Sequence, residues 1–298
     1  MSPGIRTYHE VDEVRSELPD QIAAQDERLA ARLASVSRVV AVMSGKGGVG
    51  KSLLSALLAT ALARRGERVG LIDADLNGPS AAGLLGVEPG PLVDGPDGLE
   101  PAVSPAGIRL MSMALLLEPD RALAWKDAAD AGFVWRGAQE RGAVREFLSD
   151  VAWGRLDTLL VDLPPGTQRL AELHGLVPGL AGALAVTIPS AASRDAVARS
   201  LDLAETRGIR VLGVVENMAG ARCDECGALA HLHTGSAGED LAKRFDIPLL
   251  ARIPFDRRLA TAADEGTLDA WFADAGPEAN LLAELAAKLR PAGAGEST

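Results

Sequence analysis

Short apolar, β-branched runs recur along the chain, with polar or helix-permissive stretches between them. The runs at 38–43, 68–73, 108–111, 156–162, 183–187, 210–215 and 249–253 predict strands, and the stretches at 52–65, 138–150, 192–207, 236–245 and 276–290 predict helices. Strands that alternate with helices need crossover connections, so the pattern predicts one α/β domain, a mainly parallel sheet with helices on both faces. Residues 9–35 are polar, with Leu29, Leu33 and Val36 at helical spacing, and predict a leading helix within an N-terminal extension of residues 1–37 ahead of the main domain at 38–290. Pro89, Pro91, Pro96, Pro101 and Pro105 mark 87–106 as an irregular surface excursion. The tail at 291–298 is small and polar and is expected to be disordered.

Composition narrows the partners. At 298 residues and 47% hydrophobic the chain can bury a full core. A net charge of -11 opposes attraction to phosphate backbones and anionic membranes, so neither nucleic acid nor membrane is expected as a principal partner. Two cysteines only three residues apart do not make a secreted disulfide framework and point to a reducing compartment. Met1-Ser2-Pro3-Gly4 opens without a basic region followed by an apolar stretch, and the apolar run at 53–63 is too short to span a bilayer. A cytoplasmic protein is expected.

Two of the five lysines stand inside one eight-residue loop. Gly45-Lys46-Gly47-Gly48-Val49-Gly50-Lys51-Ser52 satisfies G-x-x-x-x-G-K-S/T between a predicted strand and a predicted helix. Its glycines let backbone N–H groups gather around phosphate oxygens, and the helix N-terminus adds partial positive charge. The loop predicts ATP binding, with Lys51 reaching the β- and γ-phosphates and Ser52 ligating Mg²⁺. Two further strands end in acids, where ligands of open α/β sheets sit. Asp75 is the candidate for orienting the attacking water, Asp73 for supporting the Mg²⁺ shell, and Asp162 for holding Mg²⁺ through water. Pro164-Pro165-Gly166-Thr167 follows Asp162 as a stiff turn whose Gly166 N–H is expected to sense the γ-phosphate, a switch in which hydrolysis removes the contact that holds the turn.

Lys46, early in the loop, resembles the second lysine of the deviant Walker A motif in the MinD, ParA and nitrogenase-iron-protein superfamily. That resemblance implies a lysine reaching across a homodimer to the partner's nucleotide. Further landmarks are Asp73-Ala74-Asp75 with Gly78-Pro79-Ser80, Val134-Trp135-Arg136-Gly137, Val161-Asp162-Leu163-Pro164-Pro165-Gly166-Thr167, Val215-Glu216-Asn217-Met218 and Cys223-Asp224-Glu225-Cys226-Gly227. In this order, over about residues 39–254, they resemble the Mrp/ApbC family of P-loop ATPases, implicated in carrying or assembling iron-sulfur clusters. The resemblance implies that Asn217 contacts adenine and that Ile253-Pro254 lies beside the base. Two departures stand out. Leu53 occupies a position where the family usually has threonine, and Gln168-Arg169 replaces the Gly-Asp that commonly follows the Pro-Pro-Gly-Thr turn. Both point to slow or partner-dependent hydrolysis.

Cys223 and Cys226 have a spacing at which two thiolates face one metal centre, and a four-coordinate site needs two more ligands. The family resemblance implies a four-iron four-sulfur cluster shared between the pairs of a twofold homodimer. The alternative is a zinc site completed within the chain by His231 and His233. A thioredoxin-like redox pair is disfavoured, since no helix start is evident at Cys223. The reading is therefore an ATP-hydrolysing carrier that receives clusters from assembly scaffolds and transfers them to apo iron-sulfur proteins. Its competitor is a MinD/ParA-like ATP-gated interaction switch with a structural zinc knuckle.

Overall fold

The computed structural model describes residues 18–88, 90, 93–115, 133–223, 225–231, 235–274 and 276–289. In chain order its elements are α1 (Leu18–Leu33), β1 (Val39–Ser44), α2 (Lys51–Arg64), β2 (Val69–Asp73), α3 (Ala81–Leu84), β3 (Asp94–Gly95), β4 (Gly98–Leu99), β5 (Ala102–Val103), β6 (Arg109–Ser112), α4 (Phe133–Ser149), β7 (Thr158–Asp162), α5 (Arg169–Leu176), β8 (Gly182–Thr187), α6 (Ala191–Thr206), β9 (Val211–Arg222), β10 (Leu229–Ala230), α7 (Ala237–Phe245), β11 (Leu249–Phe255), α8 (Arg257–Asp264), α9 (Leu268–Ala273) and α10 (Pro277–Lys288). The main sheet runs β10-β9-β8-β1-β7-β2-β6-β5, with β11 also paired to β9. Its pairings are parallel except at the margins, where β10 runs antiparallel to β9 and β5 antiparallel to β6.

The apolar runs are nearly continuous because both faces of the central strands are covered. Successive residues alternate between two cores. Val40, Val42, Leu71, Leu160 and Leu184 enter the layer filled by α2, α8, α9 and α10. Val39, Ala41, Met43, Ile72, Val161 and Ala183 enter the layer filled by α4, α5 and α6. The helix α1 is tied to the end of α4, with Leu29 buried, Arg28 3.2 Å from Asp150 and Arg32 donating to the Ser149 carbonyl.

The predicted strands match β1, β2, β6, β7, β8 and β11 to within two residues. Strand β9 differs, running on from the apolar stretch through Glu216 and Asn217 to Arg222, because buried donors and acceptors elsewhere satisfy those polar side chains. The excursion at 87–106 contains the β3–β4 hairpin and β5. Short α3 and α9 escaped the periodicity reading because four and six residues are too few to show a period of 3.6. Helices α5 and α8 also add to the predicted set. The 291–298 tail and the part of the leading helix before residue 18 lie outside the described residues.

Leu58, fully buried in α2, packs in the same apolar layer as Leu282 and Leu285 of α10. Leu58→Ala is expected to lower the free energy of unfolding by about 2–5 kcal/mol in urea titrations. A loss below about 1 kcal/mol would show that this layer closes over the gap.

Candidate nucleotide site and cysteine knuckle

Between β1 and α2 the glycine-rich loop is pinned from two sides. A Cβ on Gly45 would lie 2.3 Å from the Ala196 carbonyl carbon, so only glycine lets the loop's entry lie against α6. Gly50, at φ 78°, caps α2 in the left-handed region, and a Cβ there would lie 2.3 Å from Asn217 Nδ2. That amide donates to the Val49 carbonyl at 2.9 Å, linking β9 to the loop's tip. Lys46 is half-buried, its carbonyl accepts from Ser44 Oγ at 3.0 Å, and its side chain makes no ion pair among the described residues. Gly47 and Gly48 are exposed, and a Cβ on either would meet nothing within 4 Å.

Parallel pairing brings the acidic strand ends to this loop. Asp162 closes β7 between β1 and β2, in register with Val42 and Asp73. Its Oδ1 accepts from Lys51 Nζ at 2.7 Å and from Ser55 Oγ at 2.8 Å. Lys51 Nζ is also 3.3 Å from Ser52 Oγ. Asp162 is 0% exposed and its Oδ2 has no hydrogen-bond partner among the described residues. A buried orphan carboxylate oxygen close to a serine hydroxyl is a donor set that fits a hard cation such as Mg²⁺.

Asp73 is placed beside this centre, yet both of its oxygens also serve the protein. Oδ1 accepts from the Asp75 N–H, and Oδ2 from the N–H groups of Ser80 and Ala81 and from Ser112 Oγ. It thereby fixes the start of α3. Burial, and then the neighbouring Asp162 charge, raise its pKa to about 6 against the pull of those backbone donors. Asp75 is half-buried and its Oδ1 accepts from the Gly78 N–H at 3.3 Å.

The turn after β7 is tied to β1. Leu163 N–H donates to the Val42 carbonyl, and Gly166 N–H, the expected phosphate sensor, donates to the Ser44 carbonyl at 3.2 Å. Arg169, at the departure from the family's turn, lies 3.1 Å from Glu172. Leu53, in the first turn of α2, is partly buried against the apolar layer that this helix shares with α8, α9 and α10. Pro254 is buried in β11, one residue beyond the Ile253–Asn217 pairing, which places the two expected base-side residues on adjacent strands.

Strand β9 continues from Asn217 to Arg222 and delivers Cys223 at the turn of the β9–β10 hairpin. Cys223 N–H donates to the Ala228 carbonyl, and Gly227 N–H to the Cys223 carbonyl, both at 2.9 Å. Both cysteines are exposed. Arg222, Arg257 and Arg258 line a groove that includes Cys223, together with Asp256, which lies 3.6 Å from Arg258. His231 is exposed, and His233 lies outside the described residues. Among the described residues no group of three or more His, Cys, Asp or Glu could hold a metal ion. Nor is any helix of the described residues long and apolar enough to cross a membrane.

Residues 35–290 match the ParA family model described as "NUBPL iron-transfer P-loop NTPase". The chain belongs to that family. Among its relatives are an "Iron-sulfur cluster carrier protein" of Saccharolobus solfataricus, 38% identical over 83% of this chain and 80% of that protein. "Cytosolic Fe-S cluster assembly factor NUBP2" of Bos taurus is 41% identical over 78% of this chain and 85% of its own length. Of solved structures, a nucleotide-binding protein of Archaeoglobus fulgidus in complex with ADP, with Co found in it, superposes at a TM-score of 0.70 with 36% identity over 86% of this chain and 95% of the other. Membership of this family bears out both the resemblance read from the motifs and the α/β fold.

Sequence reasoning missed Glu216. It is fully buried, accepts from Ser236 Oγ and the Gly238 N–H, and lies 2.9 Å from Arg252. Its position next to Asn217, inside an apolar run, was the available signal.

Asp73 provides a pH prediction for the metal-free protein. Its folded pKa lies above the ordinary carboxyl value, so the folded state holds the proton more tightly. The stability from that proton is complete below about pH 4 and is lost as pH rises through about 6. Carboxyl-resolved NMR titration should find Asp73 titrating near pH 6; a midpoint at the ordinary value would contradict the burial argument.

Proposed function

We propose that this protein is an ATP-binding, slowly hydrolysing iron-sulfur cluster carrier that works as a homodimer, with the cluster as cargo on Cys223 and Cys226. The observation that carries the reading is one strand, β9, touching the phosphate loop through Asn217 and ending at the exposed cysteine pair. Family membership and the names of the relatives support it.

In this reading the loop from Gly45 to Ser52 wraps the phosphates with backbone N–H groups, and Lys51 neutralises β- and γ-phosphate charge. Phosphate competes with Asp162 for the Lys51 ammonium, 2.7 Å away in the structure. Ser52 and Asp162 would hold Mg²⁺, with Asp73 supporting its outer shell; the ion, when bound, offsets charge on the phosphate oxygens. Asp75 orients the attacking water, Lys46 crosses to the partner's nucleotide, and Asn217 and Pro254 face the base. Catalysis by such a site is positioning and electrostatics. Leu53 and Gln168-Arg169 keep turnover modest. Release of Gly166 N–H from the Ser44 carbonyl would free it for the γ-phosphate, coupling the turn to nucleotide state.

Each chain offers two thiolates, and a twofold axis doubles them to the four that a four-iron four-sulfur cluster takes. Apo iron-sulfur proteins are the acceptors, assembly scaffolds the donors, and the cytoplasm the compartment, in keeping with the word "cytosolic" in the name of the bovine relative.

Anaerobic reconstitution with iron and sulfide should give a brown dimer whose visible absorbance disappears in Cys223→Ser and Cys226→Ser. A colourless protein carrying one zinc per chain would favour the nucleotide switch with a structural zinc knuckle instead. Sedimentation with ATP provides a separate check, with Lys51→Ala as the non-binding control. Lys46→Ala should still bind Mg-ATP by calorimetry but lose nucleotide-dependent dimerisation; dimerisation equal to the wild type would remove the cross-subunit role.

A further inference from the structure

Glu278 is 2% exposed at the first turn of α10, remote in sequence from every motif above. Burying a carboxylate is costly unless it is paired. The N-terminus of α10 offsets part of the cost, and Arg222 another part through its Nε, which donates to Glu278 Oε1 at 2.7 Å, while Oε2 has no hydrogen-bond partner among the described residues. The same guanidinium donates through Nη1 to the Gly227 carbonyl at 2.9 Å. Gly227 directly follows Cys226 and turns the hairpin at φ 70°. One planar group thus joins a core helix to the residue that closes the cysteine turn.

We propose that Glu278 and Arg222 are positioning residues for the cysteine knuckle: Glu278 aims the Arg222 fork at the Gly227 carbonyl, which sets the presentation of Cys223 and Cys226 to the cluster. The inference rests on the reading that this pair carries the cluster. Among the described residues the knuckle's backbone ties are the hydrogen bonds joining Cys223 to Ala228 and to Gly227 and the β10 pairings Leu229–Arg222 and Ala230–Ala221, and both β10 residues are exposed. So short an edge pairing holds little by itself. Arginine suits the task because its donors are fixed in one plane: anchoring Nε on a buried carboxylate fixes the direction of Nη1. Lysine keeps the charge but cannot span both acceptors with a rigid fork. Outer groups that orient metal-binding side chains typically change metal retention by about 10- to 100-fold.

The test uses the full chain, reconstituted anaerobically with iron and sulfide, and follows loss of visible absorbance to an iron chelator. Arg222→Lys and Glu278→Gln should each lose the cluster about 10-fold faster or more, with a changed visible circular dichroism spectrum and unaltered Mg-ATP affinity. The double variant should match the singles, since Glu278 acts through Arg222. Release within about twofold of wild type in both single variants, or additive effects in the double, would overturn the clamp. Should Glu278→Gln fail to fold, Arg222→Lys and Arg222→Gln on the partly exposed hairpin side chain give the same readout. Colour lost in Cys223→Ser but wild-type release in the clamp variants removes the clamp alone. A wild type that takes up no cluster removes the carrier reading and the clamp together.

Discussion

The ion pair between Lys51 and Asp162 is the constraint on which the rest of the structure depends. Both residues are nearly inaccessible to solvent, at 6% and 0% side-chain exposure, and a buried pair is tolerable only if its geometry is maintained. Lys51 is the first residue of α2, and Asp162 the last of β7. Their 2.7 Å contact requires β7 to stop just short of the loop that leads into α2, which the parallel register from Val39–Leu159 to Val42–Asp162 provides, with β1 running on two residues to Ser44. The same register on the other side sets Asp73 against Asp162. Two carboxylates then share a dry site with one ammonium, and the raised pKa of Asp73 follows first from its burial and then from the neighbouring Asp162 charge. A site with surplus buried negative charge and an orphan oxygen is suited to a cation that arrives with phosphate.

Much of this was legible in the sequence because it is local. The P-loop needs glycine at particular backbone positions and lysine one residue after the last of them, so its chemistry is written in eight consecutive residues. Central strands buried on both faces appear as unbroken apolar runs, so most of the sheet could be located without tertiary information. The failures are equally physical. Strand β9 was cut short at 215 because Glu216 and Asn217 look like the end of an apolar run, and their partners Ser236, Gly238, Arg252 and Val49 are distant in the chain. Helix α3 depends on Asp73, whose carboxylate receives the Ser80 and Ala81 N–H groups. Asp73 could be read as a functional acid from its place after an apolar run, but not as the group that starts a helix. Glu278 was invisible for the same reason, since nothing in Pro277-Glu278-Ala279 distinguishes a buried clamp from a solvated first-turn acid.

The distance between the two proposed centres then becomes a mechanical question. From Asn217 to Cys223 is six residues, or about 20 Å of extended chain. A strand that touches the nucleotide loop at one end and presents thiols at the other can transmit displacement only if it is stiff between them. Met218, immediately after the P-loop contact, has φ 53°, and the β9–β11 pairing shifts register between Ile253 and Phe255. A left-handed conformation at a residue with a side chain costs about 1–2 kcal/mol and marks a bend in the strand. By itself β9 is therefore a poor rod.

Helix α10 supplies the missing support. It packs on α2, the helix that begins with Lys51, and its Glu278 holds Arg222 beyond the bend. The cysteine hairpin is thereby connected to the phosphate loop twice, once through Asn217 and the proximal half of β9, and once through α10 and the distal half. Two attachments on opposite sides of a bend restrict the hairpin's angle as well as its distance. In the proposed homodimer the two cysteine pairs face each other across a twofold axis, so their meeting is sensitive to the hairpin's angle, each rotation being repeated in the partner. That sensitivity gives a reason for fixing the hairpin with a directional guanidinium fork and a buried carboxylate, where an apolar contact of similar area would hold its position but leave its angle loose.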